Sequence, residues 1–211
     1  LRASRAIVRR SEIRIQQASA DARHPEDLNE ERVVKLFALA AAGAGLALAG
    51  CSESQPDVPY IPTPQPIVDA MLEMGQIKEG DVLYDLGSGD GRIPITAAKQ
   101  YGIRAVGIEI DPRLVSVSNA NARAAGVEDL VEFVQADLFS AELQDADIVT
   151  LYLTEPLNLR LRPKLQQELK SGARIVSHSY GMGDWAPEER REVDGAVLSR
   201  WTTPGPAPSA R

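Results

Sequence analysis

The sequence predicts an α/β domain: a mostly parallel sheet with helices packed on it, finished by an antiparallel hairpin. Three observations lead there. Short apolar runs alternate with amphipathic segments across residues 66–203. The runs are continuous rather than alternating, as in strands covered on both faces. The last two runs flank Asp194-Gly195, a strong signal for a tight hairpin turn. A chain of 211 residues accommodates one such domain plus tails, with a core that needs neither disulfide nor metal.

The elements follow in order. Residues 66–74 place Ile67, Ala70, Met71 and Met74 on one helical face, with Pro66 in the first turn and Gly75 at the end. Residues 81–86 read as a buried strand, 87–91 as a turn and 93–101 as a helix. Residues 105–110 form a second strand. A long helix over 112–125 is opened by Asp111-Pro112 and closed by Gly126. Strands follow at 131–135, 147–153 and 173–177. A helix over 157–170 lies between the last two, with Pro163 interrupting or restarting it. The hairpin pairs 192–193 with 196–201.

The remainder of the chain is organised differently. Residues 1–32 mix Arg and Glu without a lasting apolar period, and Arg9-Arg10 is not followed by an apolar run, which argues against a twin-arginine signal. Residues 33–51 carry one lysine, Lys35, and then an apolar run ending in small residues. The run is too short to span a bilayer and matches a signal-peptide core. Its end, Leu48-Ala49-Gly50-Cys51, resembles the lipobox of bacterial lipoproteins, which implies an acylated Cys51 and a membrane-attached protein. An Ala-rich extension on a cytoplasmic protein is the alternative. The lipoprotein reading makes 1–32 an upstream extension and Val33 or Val34 the natural start. Residues 52–65 read as a Ser- and Pro-rich linker, and 204–211 as a disordered tail.

Composition narrows the function. A formal charge of −7 gives no general affinity for nucleic acid. One cysteine excludes an internal disulfide, and with two histidines it makes a structural zinc site a poor expectation.

The informative segment is Asp85-Leu86-Gly87-Ser88-Gly89-Asp90-Gly91-Arg92, between a strand and a helix. Glycines there let the backbone turn and approach a ligand closely, at the usual crevice of an open α/β sheet. A dinucleotide loop spaces its glycines G-x-G-x-x-G and sets a pyrophosphate on the helix N-terminus. Here the spacing is G-x-G-x-G, and Arg92 stands where the third glycine belongs. Asp85 is awkward beside pyrophosphate and useful beside a cation. D-x-G-x-G-x-G therefore resembles motif I of class I S-adenosylmethionine-dependent methyltransferases, whose cofactor carries a sulfonium and an ammonium. Glu109, about 20 residues on at a strand end, suits the ribose hydroxyls. Asp137 follows the third strand, and the resemblance implies that it receives the adenine amino group.

Flanking segments narrow the match. Val58-Pro59-Tyr60-Ile61-Pro62-Thr63-Pro64, Thr150-Leu151-Tyr152-Leu153, Asn158, Leu161-Arg162-Pro163-Lys164-Leu165, Ser177-His178-Ser179-Tyr180 and Gly183-Asp184-Trp185 together resemble a protein-lysine methyltransferase family. It includes a broad-specificity archaeal enzyme and the mitochondrial enzymes acting on ATP synthase c subunit and adenine nucleotide translocase. The resemblance implies the seven-strand class I (Rossmann-like) fold. It implies that Tyr60 and Thr63 cover the cofactor's methionine end, with Gly87, Ser88, Gly89 and Gly91 in the cofactor loop. It places Asn158, Tyr152 and His178 at the reaction mouth as candidate catalytic residues. By residue type alone, Pro62-Thr63-Pro64 reads equally as a stiff linker, Asn158 as a helix cap and His178 as a structural histidine.

The implied reaction moves a methyl group to a protein lysine. A lysine is protonated at neutral pH, and a neighbouring cation and partial desolvation both favour its neutral form. No dedicated base is required. Two rivals stand beside this reading: methylation of a small or lipid amine, and a non-catalytic cofactor-binding lipoprotein.

Overall fold

A computed structural model of the chain describes residues 59–204. Its elements run α1 (Gln65–Met74), β1 (Val82–Leu86), α2 (Arg92–Tyr101), β2 (Arg104–Glu109), α3 (Pro112–Ala125), β3 (Val131–Gln135), β4 (Ile148–Leu151), α4 (Glu155–Glu168), β5 (Arg174–His178), β6 (Glu189–Val193) and β7 (Ala196–Thr202). The seven strands form one sheet in the order β3-β2-β1-β4-β5-β7-β6. Strands β1 to β5 are parallel, β7 is antiparallel to β5, and β6 is antiparallel to β7. This is the seven-strand class I arrangement expected above. Asp194 and Gly195 both take positive φ, 49° and 79°, as a two-residue hairpin turn demands.

The order reverses at β1, between β2 and β4, and so opens a crevice at the carboxyl ends of these strands. One face of the sheet sets Leu83, Ala105, Ile148, Val176 and Leu198 against Ile67, Met71 and Met74 of α1 and Ile93 and Ala97 of α2. The other sets Leu86, Val149, Leu151, Ile175 and Trp201 against Leu161 and Leu165 of α4. Helix α3 joins α2 over Phe133 of β3.

Both faces of the sheet are covered, as expected, and α4 is the only helix among the described residues packed into the second one. The irregular β3–β4 connection covers part of the rest through Leu143 and Ala146. Pro163 was expected to interrupt or restart the helix over 157–170, yet α4 runs unbroken through it. A proline removes one amide donor. The carbonyl that loses its partner belongs to Leu159, which is exposed, while buried Leu161 and Leu165 anchor the helix on either side of the proline.

Candidate active site

The crevice begins with a carboxylate that has no cation among the described residues. Asp85 near the end of β1 is 3% exposed. It stands in register with Thr150 of β4, whose hydroxyl donates to Asp85 Oδ1 at 2.7 Å. Burial pushes the Asp85 carboxyl up to about 7. The Thr150 hydrogen bond opposes the rise, and the charges of Glu109 and Asp90 add to it. A carboxylic acid so placed is stabilised as an anion by any cation that enters.

The loop after β1 is bound to β2. The amides of Gly87 and Ser88 donate to the Ile108 carbonyl at 2.9 and 3.0 Å. The Gly89 amide donates to Glu109 Oε2 at 2.9 Å, and the Ser118 hydroxyl of α3 donates to the Gly89 carbonyl at 2.8 Å. Glu109 is buried, and its Oε1 accepts from the amides of Ile110 and Asp111 at 2.8 and 3.0 Å. A carboxylate offers about four acceptor sites. Three are taken by backbone, and the capacity left on Oε2 suits a hydroxyl donor. Gly89 has φ +56°, and a Cβ there would lie 2.4 Å from the Tyr60 ring. The close approach of loop and ring therefore depends on glycine. The Ser88 side chain packs over Gly107 of β2, and its buried hydroxyl has no partner.

Residues 59–63 form the outer wall. Tyr60 lies on Gly89, and Thr63 is buried. With Asp85, Gly87, Ser88, Gly89, Glu109 and Asp137 they line a crevice of about 290 Å³, which reaches Tyr152, Leu153 and Leu157. Gly91 caps α2 at φ +79° and packs against Phe133 and Ser118 beneath the loop. Asp137 is exposed and accepts the Phe139 amide at 2.9 Å.

The charge of this lining decides which ligand fits. It carries Asp85, Asp90, Glu109, Asp111 and Asp137 against Arg92 and Arg113. Each arginine is paired with the aspartate two residues before it, Arg92 with Asp90 and Arg113 with Asp111, both at 2.7 Å. An acid-rich cleft whose two cations are matched repels a diphosphate and accepts a ligand bearing ammonium and sulfonium groups. S-adenosylmethionine fits these residues: Asp85 toward its cationic end, Glu109 toward a hydroxyl pair, Asp137 toward an amino group.

The three candidate catalytic residues separate. Tyr152 lines the crevice. His178 stacks behind it, ring centroids 3.8 Å apart, and does not reach the lining. It is buried, its Nδ1 has no partner, and burial lowers its pKa, so it is neutral at physiological pH. Asn158 is wholly buried and also outside the lining. Its amide donates to the carbonyls of Tyr180 and Gly181 at 3.2 and 3.3 Å and to Ser177 Oγ at 3.3 Å, tying α4 to the loop after β5. The residue at the cap of α4 is Thr154, not Asn158. Glu155 is exposed at the first position of that helix. Cys51 lies outside the described residues. Among those residues no cluster of three or more His, Cys, Asp or Glu could hold a metal, and no helix is long and apolar enough to cross a membrane.

Sequence reasoning missed Thr150, Asp90 and Arg92. Thr150 touches Asp85 through a strand register that no local pattern carries. Arg92 drew notice only for displacing a glycine. Its bonds to Asp90 and to Thr63, 29 residues away, could be seen only once the chain was folded.

Comparison with known proteins agrees with this geometry. The ANTKMT methyltransferase domain family matches residues 85–189. A protein-lysine N-methyltransferase from Saccharolobus islandicus is 41% identical over 145 residues, covering 68% of this chain and 90% of that protein. The adenine nucleotide translocase lysine N-methyltransferase of Mus musculus is 36% identical, covering 76% of this chain and 75% of that one. The crystal structure of an RNA methyltransferase from Salinibacter ruber in complex with S-adenosyl-L-homocysteine shares 53% identity. It superimposes with a TM-score of 0.68 over 71% of this chain and 98% of that one. The sheet order, the acid-lined glycine crevice and these relatives lead to one conclusion: the chain belongs to the ANTKMT family of class I S-adenosylmethionine-dependent methyltransferases.

Proposed function

We propose that the protein transfers the methyl group of S-adenosylmethionine to lysine side chains of protein substrates. The observation that carries the reading is the buried, cation-free Asp85 at the foot of a crevice whose mouth is formed by Tyr152, Leu153 and Leu157. Two relatives that the chain matches along most of their length bear lysine methyltransferase names. When bound, S-adenosylmethionine supplies an electrophilic methyl on a sulfonium leaving group, so the chain must hold an amine in line and favour its neutral form. Leu153 and Leu157 make the mouth apolar, which favours the uncharged amine. His178, neutral behind Tyr152, leaves an aromatic wall there. No side chain in the lining is assigned as a base, and a deprotonated lysine needs none.

The Salinibacter relative is called an RNA methyltransferase. A net charge of −7 and a lining whose arginines are already paired give little to neutralise phosphates, so the lysine reading is preferred. Purified full chain, tritiated S-adenosylmethionine and separate protein and RNA acceptor pools decide it. Label recovered as methyl-lysine supports the proposal. Label in RNA alone, or in a small amine alone, overturns it.

Attachment through an acylated Cys51 is part of the same proposal, and its support is the apolar run and lipobox in the sequence. Extended chain from Cys51 to Pro59 reaches at most about 28 Å, so an anchored protein would keep its mouth close to the bilayer surface and to lysines of membrane proteins. In bacterial cells fed radiolabelled palmitate, the wild-type chain is expected to label and Cys51→Ser to remain unlabelled and soluble. Equal labelling of both would move the acyl group to another residue and overturn the Cys51 anchor, and labelling of neither points to the cytoplasmic alternative.

A further inference from the structure

Arg92 spends its whole guanidinium on contacts outside the reaction centre. Nε and Nη2 grip both oxygens of Asp90 at 2.9 and 2.7 Å, and Nη1 donates to the Thr63 carbonyl at 2.7 Å. The Tyr60 phenol lies close enough to the Asp90–Arg92 pair to feel both charges, and its ring rests on Gly89. Residues 59–64 have no secondary structure of their own, and two contacts tie this stretch to the loop: Arg92 on the Thr63 carbonyl and the Tyr60 ring on Gly89. The stretch is also the outer wall of the crevice.

Position makes the choice of residue informative. Arg92 opens α2, and Gly91 before it supplies no side-chain cap. A cation in the first helical turn opposes the helix dipole. An arginine is therefore a poor choice for helix stability there, and its contacts give the compensating role.

We propose that Arg92 is a positioning residue that latches residues 59–64 over the cofactor crevice and thereby sets how fast cofactor and demethylated product exchange. The inference rests on the methyltransferase reading but not on lysine as acceptor. Entry and exit past Tyr60 require the wall to swing away, and the bond from Arg92 to Thr63 is the polar tie that must break. A lysine can reach Asp90 or the Thr63 carbonyl but cannot fork to both.

Stopped-flow release of S-adenosylhomocysteine from the full chain tests this without any acceptor. A charge-assisted bond at a half-buried site predicts about tenfold faster release in Arg92→Gln, an intermediate rate in Arg92→Lys, and a midpoint of thermal unfolding that does not fall. In the steady state the change should fall on KM for the cofactor more than on kcat. Asp90→Asn should quicken release as well, and combined with Arg92→Gln should add little to it. Release at the wild-type rate in Arg92→Gln overturns the latch. So does faster release accompanied by a thermal loss equal to that of Asp90→Asn, which would mark the pair as merely structural. A chain that methylates RNA rather than lysine could still show the latch, so the two proposals fail separately.

Discussion

Gly89→Val is expected to leave a folded domain with at least a hundredfold weaker affinity for S-adenosylhomocysteine. Two physical effects combine. At φ +56° a β-branched residue sits in a region of backbone space that costs about 1–3 kcal/mol. Its Cβ would also stand 2.4 Å from the Tyr60 ring. That ring is half-exposed and is the side that gives way, so the outer wall opens. The backbone meanwhile shifts away from Glu109, which the Gly89 amide now holds at 2.9 Å. The damage is expected to stay local because the atoms nearest to a Cβ at this position all belong to the Tyr60 ring. Calorimetric titration measures the affinity, and circular dichroism shows whether the fold survives. Wild-type affinity in Gly89→Val would mean that the ligand does not lie against this turn.

Asp85→Asn is expected to abolish cofactor binding while making the ligand-free protein more stable above neutral pH. A buried aspartate whose pKa stands near 7 binds a proton more tightly folded than unfolded, where its pKa is about 3.9. Between those values the native state holds more protons than the unfolded one, so stability falls as pH rises from about 4 through 7. The loss is on the order of 4 kcal/mol by pH 8. Asparagine removes the charge and still accepts from Thr150, so the variant should melt several degrees higher at pH 8 and at nearly the wild-type temperature at pH 4. It cannot balance a cation, so affinity disappears. Thermal melts across pH, with titrations at pH 8, check both halves. A variant less stable than wild type at pH 8 would assign Asp85 a structural role.

How much of this could be read from the chain follows from which forces are local. The β3 strand and α3, with its Asp111 cap and closing Gly126, stand where the sequence put them, because hydrophobic period and capping chemistry are written within a few residues. The crevice was legible for a similar reason: Asp85, Gly89 and Glu109 come from one strand-turn-helix-strand unit whose spacing carries its geometry. Interactions across the sheet were not legible. Thr150 meets Asp85 65 residues away by strand register, and Arg92 reaches Thr63 through a segment whose composition alone suggests only a linker. Asn158 and His178 show the limit of residue type. Both are polar and close to the right strand ends, but one staples a loop and the other backs an aromatic wall.

An uncompensated carboxyl at Asp85 awaits a cationic ligand, and a proton count at neutral pH reveals whether it meets one. S-adenosylhomocysteine still carries the ammonium. Its titration into the full chain at pH 7, repeated in buffers of different ionisation enthalpy, should release about half a proton per site as Asp85 ionises. Affinity should weaken toward pH 5 by up to about tenfold per unit. Binding with no proton released, or no binding where a nicotinamide dinucleotide binds instead, would mean that Asp85 does not face the cation of this ligand.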